Sequence, residues 1–257
     1  MNRRPFILLI ISALSTHLRL QGDEEKANTA WAVIVILLIH RDFRRVHSLL
    51  QEKKYYEAWC FMESIEIAVG NLLQNCPGAL NAVKYIRKYI SMMVRQLQGL
   101  YPYKVFMSTE ILIKERTCSI CGKKRTIRHH CGHFLGYVYN GEICYDAVEA
   151  VALEGISLVF DPEHKYAVVF LSDENGRKDQ YNYMLLEEVM KFWTDPLMTR
   201  HYTTKHIHKS PKEFPGLTDD STCPCGSGKI YGECCKNDLE GVKYVVYTFG
   251  PGLVNVN

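Results

Sequence analysis

Residues 223–235 read Cys-Pro-Cys-Gly-Ser-Gly-Lys-Ile-Tyr-Gly-Glu-Cys-Cys. Four sulfurs, from Cys223, Cys225, Cys234 and Cys235, share one short loop, and few chain paths satisfy them all. A tetrahedral thiolate site brings four sulfurs to about 2.3 Å from one ion while the backbone turns tightly around it. Pro224 pre-sets a turn between the first pair, and Gly226 and Gly228 can take the positive φ that lets N–H groups point at sulfur. A disulfide knot fits poorly, because adjacent cysteines do not bridge comfortably. A phosphate loop fails as well: Cys223 stands where the first glycine belongs, and Ile230 where a hydroxyl must hold magnesium. The spacing predicts a structural zinc site.

A second cluster lies mid-chain. Cys118-x2-Cys121 is followed after nine residues by Cys131-x-His133, three sulfurs and an imidazole with knuckle spacing at the first pair and Gly122 placed for the knuckle turn. A redox Cys-x-x-Cys would open a helix in a βαβ pattern, which this segment does not show. The fourth ligand is open: His133 is taken, with His129, His130 and Cys144 as alternatives. Cys60 and Cys76 read as core thiols. Ten cysteines grouped at ligand spacing point to a reducing compartment, hence a cytoplasmic protein with two zinc ions.

On residues 223–235 the chain resembles the SEC-C metal-binding motif, with eight residues between the inner cysteines and a paired ligand at the end. In the C-terminal tail of the SecA translocase that motif binds zinc through three cysteines and a histidine and contacts the chaperone SecB and ribosomes. Cys235 occupies the histidine's place here, as in many SEC-C proteins. The resemblance implies zinc binding and a protein or ribosomal partner. It covers only about residues 221–236, and no ATP-binding motif accompanies it. Arg128-His129-His130-Cys131 resembles both FYVE lipid-binding fingers and DHHC acyltransferases, yet the other residues each family needs are missing. Leu153 to Val159 resembles a strand of phage prohead serine proteases, but no arranged base serves Ser157, which reads as an ordinary hydroxyl on a half-buried strand.

With 257 residues, 47% of them hydrophobic, the chain can bury a sizeable core. The fold class expected is α+β. Residues 1–100 read as a helical bundle: Ala58, Met62, Ile65, Val69 and Leu72 make one apolar stripe, with Glu57, Glu63 and Glu66 off it, and Val83, Ile86, Ile90, Met93 and Leu97 make another. Cys76-Pro77-Gly78 is the breaker between them. The apolar runs Phe6 to Leu14 and Ala30 to Ile39 are too short to span a bilayer, which takes about 18 residues. They are expected as core helices, with a membrane hairpin as the alternative.

Gly99 to Tyr103 opens a central zinc-containing, hairpin-rich α+β domain, residues 101–199. Phe134 to Tyr139 is expected as a strand that returns through Asn140-Gly141, the strongest short hairpin signal. Ile156 to Phe160 and Tyr166 to Leu171 are expected to pair around Asp161-Pro162, and Tyr181 to Trp193 to form a helix. Residues 200–220, with His201, His206 and His208 among lysines and prolines, suit a basic linker. Residues 221–257 form the SEC-C-like module, with a strand from Val242 to Phe249 and an end to order at Gly250-Pro251-Gly252.

The function expected is a zinc-binding adaptor that presents rigid surfaces, Lys229 and Tyr231 among them, to a protein or ribosomal partner. The alternative is nucleic-acid binding: Lys114, Arg116, Lys123, Lys124, Arg125 and Arg128 face one acid, Glu115, around the knuckle. A net charge of +3 is too small to imply nucleic acid without such clustering. A third and less favoured reading is a hydrolytic or metal-dependent enzyme, with an open zinc position if His133 or Cys144 is not a ligand. A four-ligand site leaves no position for water, and no His-Glu-x-x-His helix supplies a base.

Overall fold

The computed structural model describes residues 22–76, 81–196, 200–225, 227 and 229–251. The expectations for Phe6 to Leu14, Pro77-Gly78, Gly226, Gly228 and Gly252 lie outside the described residues. The chain is mixed α+β and parts between residues 198 and 199 into two compact units.

The first unit is built on two antiparallel helices. Helix α1, Glu24–Gln51, starts at Asp23, whose carboxylate accepts the Lys26 N–H at 3.2 Å, and carries Glu24 and Glu25 in its first turn. Both features offset the unpaired amides and positive pole of a helix start. The helix ends with Lys53 in the left-handed region at φ 57, where the Lys54 and Lys53 N–H groups close back onto Leu49 O and Leu50 O. This Schellman turn satisfies the last carbonyls. It also leaves a three-residue connection, so helix α2, Tyr55–Asn75, must pack back along α1. Ala58, Met62, Ile65, Val69 and Leu72 are all buried, as the stripe predicts.

Glu63 departs from its expected exposed place. It is buried and accepts the backbone N–H of Lys165 at 2.8 Å. Helix α3, Asn81–Tyr85, runs through a π-helical turn, Ile86–Ile90, into helix α4, Ser91–Gly99. The second predicted stripe, Val83 to Leu97, faces inward throughout.

The composition change at Gly99–Tyr103 coincides with a change from helix to strand inside this unit. Tyr101, Tyr103 and Phe106 all pack on Trp59. The Trp59 indole N–H donates to Lys165 O, and the Lys165 ammonium binds Glu66 at 2.6 Å. Helix α5, Met184–Phe192, is shorter than the predicted 181–193 span. It is followed by fully buried Trp193, which packs on Phe43 and His47, and His47 Nε2 lies 2.9 Å from Trp193 O.

Strand β1, Phe106–Cys118, pairs antiparallel with β4, Asp146–Val159, in a two-stranded ribbon whose register starts at Phe106↔Val159 and closes at Cys118↔Asp146. The partner expected for Ile156 to Phe160 was Tyr166 to Leu171; β1 takes its place, because a long ladder from 106 to 118 pairs more backbone than one hairpin around Asp161-Pro162. The Tyr166 to Leu171 segment lies along the base of β1 instead, through Met107 N–H to Ala167 O and Val169 N–H to Val105 O. Between β1 and β4 sits the hairpin of β2, Val138–Tyr139, and β3, Glu142–Ile143, turning at Asn140 (φ 49) and Gly141 (φ 77) as predicted. Residues 134–137 do not join the strand, since Gly136 turns at φ 77. A last small hairpin joins β5, Leu171–Asp173, to β6, Gly176–Lys178.

The second unit is a ribbon of β7, Arg200–Lys209, and β8, Val242–Pro251, paired from Arg200↔Pro251 to Lys209↔Val242. The first half of the expected basic linker is therefore strand. Tyr202, Thr203, Thr204 and Ile207 are β-branched or aromatic and favour strand, a preference that the surrounding charge obscures. Ser210 then caps a short 3-10 turn, Pro211–Glu213, with a reciprocal Glu213 contact. The core of this unit is Cys223, Tyr231, Cys235 and Val242, with Phe214, Leu217, Cys225 and Cys234 packed against it.

Candidate metal centres

Cys118, Cys121, Cys131 and His133 bring one ligand atom each to within 4.8 Å of one another, and so do Cys223, Cys225, Cys234 and Cys235. Both groups can hold a metal ion. The fit is tested by the spacing of the donors, because ligands about 2.3 Å from a tetrahedral centre stand about 3.8 Å apart. Cys118 Sγ lies 3.7 Å from His133 Nδ1, Cys225 Sγ 3.5 Å from Cys234 Sγ, and Cys234 Sγ 3.9 Å from Cys235 Sγ.

The ribbon end builds the first centre. Cys118 is the last residue of β1 and is buried. The chain then turns at Gly122 (φ 67), with Gly122 N–H to Cys118 O and Cys118 N–H to Lys123 O, which sets Cys121 beside Cys118. Gly132, at φ 87, turns Cys131 and His133 inward, and His133 packs edge-on against Tyr139 at 4.6 Å. Of the alternative fourth ligands, His129 lies against the Thr126 hydroxyl and His130 is exposed. Cys144 is buried 3.8 Å from Cys118 Sγ, outside the group of four.

The alternative nucleic-acid reading puts Arg125 on phosphate, and the structure places it elsewhere. Its side chain is only 9% exposed, and its guanidinium donates to His133 O at 2.6 Å, Cys144 Sγ at 3.2 Å and Cys118 Sγ at 3.5 Å, while pairing with Asp146 at 3.2 Å. Asp146 also holds Arg116. Burial alone would raise the Cys118 thiol, but the amides of Cys121 and Ile120, with Cys131 and Arg125, bring it down to about 5. Burial opposes the charge on Arg125, and the neighbouring Cys118 and Cys131 sulfurs outweigh it and hold the guanidinium protonated. Three thiolates and an imidazole around a divalent ion sum to one negative charge, which one guanidinium neutralises. Sequence reasoning grouped Arg125 with the surface cations; its place, seven residues after the first knuckle cysteine and opposite Asp146, was the available signal.

The second centre is the core of its unit. Cys223 N–H donates to Lys229 O, and Thr222 bridges Ile230, so the loop closes on itself behind the sulfurs. Two short 3-10 turns, Tyr231–Glu233 and Cys235–Asn237, flank Cys234 and let consecutive cysteines face the same point. The Ser227 hydroxyl lies 3.2 Å from Cys234 Sγ. Burial would raise the Cys225 thiol, but the Ser227 side chain and amide, with Cys223 and Cys234, bring it down to about 6, whereas burial carries Cys235 up to about 12. Tyr231, expected as an exposed contact, is buried against the cysteines; Lys229 is exposed.

Cys60 and Cys76 are partly buried free thiols, and Ser157 lies exposed on β4. Among the described residues no helix is long and apolar enough to cross a membrane. No protein-family model, curated protein or solved structure matches the chain.

Proposed function

We propose that this chain is a zinc-binding adaptor of a reducing, cytoplasmic environment, whose two structural zinc sites hold surfaces that dock a protein or ribosomal partner. The observation that carries it is the pair of four-donor clusters. Cysteine-rich donor sets of this kind select zinc, and four protein ligands close the coordination shell, so the ion fixes a fold and does not activate water. The SEC-C-like sequence at 223–235 supports the same role and suggests the type of partner.

Affinity purification from the native cell tests it, comparing wild type with a Cys223→Ser/Cys225→Ser variant, with and without nuclease, alongside metal content by mass spectrometry. Two zinc ions per wild-type chain, one in the variant, and loss of a nuclease-resistant partner are expected. Unchanged metal content with an unchanged partner set refutes it.

One feature favours a second reading, nucleic-acid binding. An open cleft of about 690 Å³ beside the knuckle is lined by Lys114, Arg116, Arg125, Arg128 and His129 among others. Arg116 and Arg125 are committed to Asp146, and Lys124 to Glu115, so phosphate contact falls to Lys114, Lys123 and Arg128. Binding that weakens steeply with salt and vanishes in the triple alanine variant of those three supports it; binding absent or indifferent to salt removes it.

A further inference from the structure

The β1–β4 ribbon carries an apolar face that no described residue of its own unit covers. Its register places Met107 opposite Leu158, Thr109 opposite Ile156, Ile111 opposite Leu153 and Ile113 opposite Val151. Bulges in the ladder keep these pairs on one side: between Glu110 and Ile111 the pairing skips Glu154 of β4, so the alternation of both strands stays in step. Seven of these eight residues are aliphatic or Met, and their exposures run from 42% at Ile113 to 67% at Leu158. The opposite face carries the pairs Phe106–Val159, Ser108–Ser157, Glu110–Gly155 and Leu112–Ala152, with Phe106 buried and polar or small residues between the two apolar ends. A two-stranded ribbon is marginal in water without a covered face. A contiguous aliphatic ladder of this length marks an interaction surface.

We propose that this face packs against the same face of a second copy of the chain. Seven aliphatic side chains, each about half exposed, offer roughly 700 Å² per copy, close to the roughly 800 Å² per partner of stable interfaces. Thr109 is the one polar side chain among these eight paired residues, so the ladder itself offers no charge by which a foreign partner would be selected. A two-fold contact needs only self-complementarity. Reversing the ribbon lays the Met107–Leu158 end over the Ile113–Val151 end of the second copy, apolar on apolar along its length. Two such ribbons stack as a small sandwich at about 10 Å, with the strands roughly aligned. The contact is independent of the partner proposed above.

Sedimentation velocity on the full, metal-loaded chain from about 1 to 100 µM tests it. Wild type is expected at twice the 29.7 kDa chain mass. Ile156→Lys should raise the dimer dissociation constant by about 100-fold or more, as for a charge buried at an interface centre. Ser157→Lys, one residue along on the opposite face, should leave it unchanged. Ile156→Thr, which keeps β-branching, should weaken the dimer by about 10-fold and serves if the lysine variant loses its far-UV circular dichroism. A wild type that stays monomeric at about 100 µM overturns the proposal, as does a dimer equally tight in both Ile156 variants. A monomer that sediments with phosphatidylcholine vesicles through Ile156 overturns it in favour of a lipid-facing ribbon.

Discussion

Replacing Arg125 with Met keeps most of the side-chain volume and removes the buried charge beside the knuckle thiols. At 3.5 Å from Cys118 Sγ, a unit charge pair is worth about 5 kcal/mol at an effective dielectric of 20. Part of that is lost in the exchange, because Arg125 also serves Asp146, which keeps Arg116 at 3.1 Å in the variant. Residues that support metal ligands from behind typically carry 10–100-fold of affinity, about 1.4–2.8 kcal/mol. The expectation is therefore a loss of about 30-fold in zinc affinity at the first centre. The second centre, in the other unit, should not change and serves as the internal standard. Competition titration against a fluorescent zinc chelator resolves both sites. Arg125→Lys keeps a charge but cannot reach His133 O and two sulfurs at once, so an intermediate loss is expected. A first-site affinity within about 3-fold of wild type, or equal losses at both sites, would show that Arg125 packs against the centre without supporting its charge.

Four further outcomes follow from the structure. In metal-free protein the Cys118 thiol stands at about 5 against an ordinary 9.0; a lowered folded value stabilises above the unfolded one and is lost on acidification, so the denaturant midpoint should fall from pH 9 to pH 5, and Cys118→Ser should flatten that slope. Trp193→Ala empties a fully buried site against Phe43 and His47 and should cost about 3–5 kcal/mol in urea unfolding of the first unit. Gly241→Ala puts a Cβ 2.6 Å from Lys209 O at φ +99 and should destabilise the second unit by about 1–3 kcal/mol, read as faster hydrogen exchange along β7 and β8. Stripping the metal should unfold the backbone around the surface residues Lys229, Lys236 and Lys243 and let trypsin cut there, while emission from Trp31, Trp59 and Trp193, all in the first unit, holds steady; equal protection with and without metal refutes a metal-built core there.

Much of the helical half was legible because one period decides it: the stripes from Ala58 to Leu72 and from Val83 to Leu97 both face inward. The turn at Asn140-Gly141 was legible too, since both residues tolerate positive φ. Pairing partners were not. Ile156 to Phe160 is equally strand-like whichever neighbour it meets, and the choice of β1 depends on a contact across the whole knuckle insertion. Glu63 was misplaced because its pattern position says nothing about the Lys165 amide that satisfies it. Charge also hid structure, as in β7, where lysines and histidines disguised a strand. The eight cysteine and histidine positions fall into two groups of four, yet Arg125 looked like its exposed basic neighbours, because sequence shows a charge without showing what it faces.

The two centres stand in opposite relations to the fold around them. At the first, the β1–β4 ladder delivers Cys118, turns at Gly122 and Gly132 set Cys121, Cys131 and His133 beside it, and Arg125 supplies the compensating charge, while the apolar core of that unit lies in its helices. At the second, two of the four buried core residues are the ligand candidates Cys223 and Cys235, beside Tyr231 and Val242, and the other two cysteines pack against them. A unit of fewer than about 60 residues with so small an apolar core needs a staple to hold it, and thiolates crowded in a dry interior repel one another until a cation joins them. Burial pushes the Cys235 thiol up to about 12, and neighbouring Cys223, Cys225 and Cys234 add to the rise, so ionising that core needs a cation to join the sulfurs. In the first unit the fold makes the site; in the second the site makes the fold, so the second is where loss of metal becomes loss of surface.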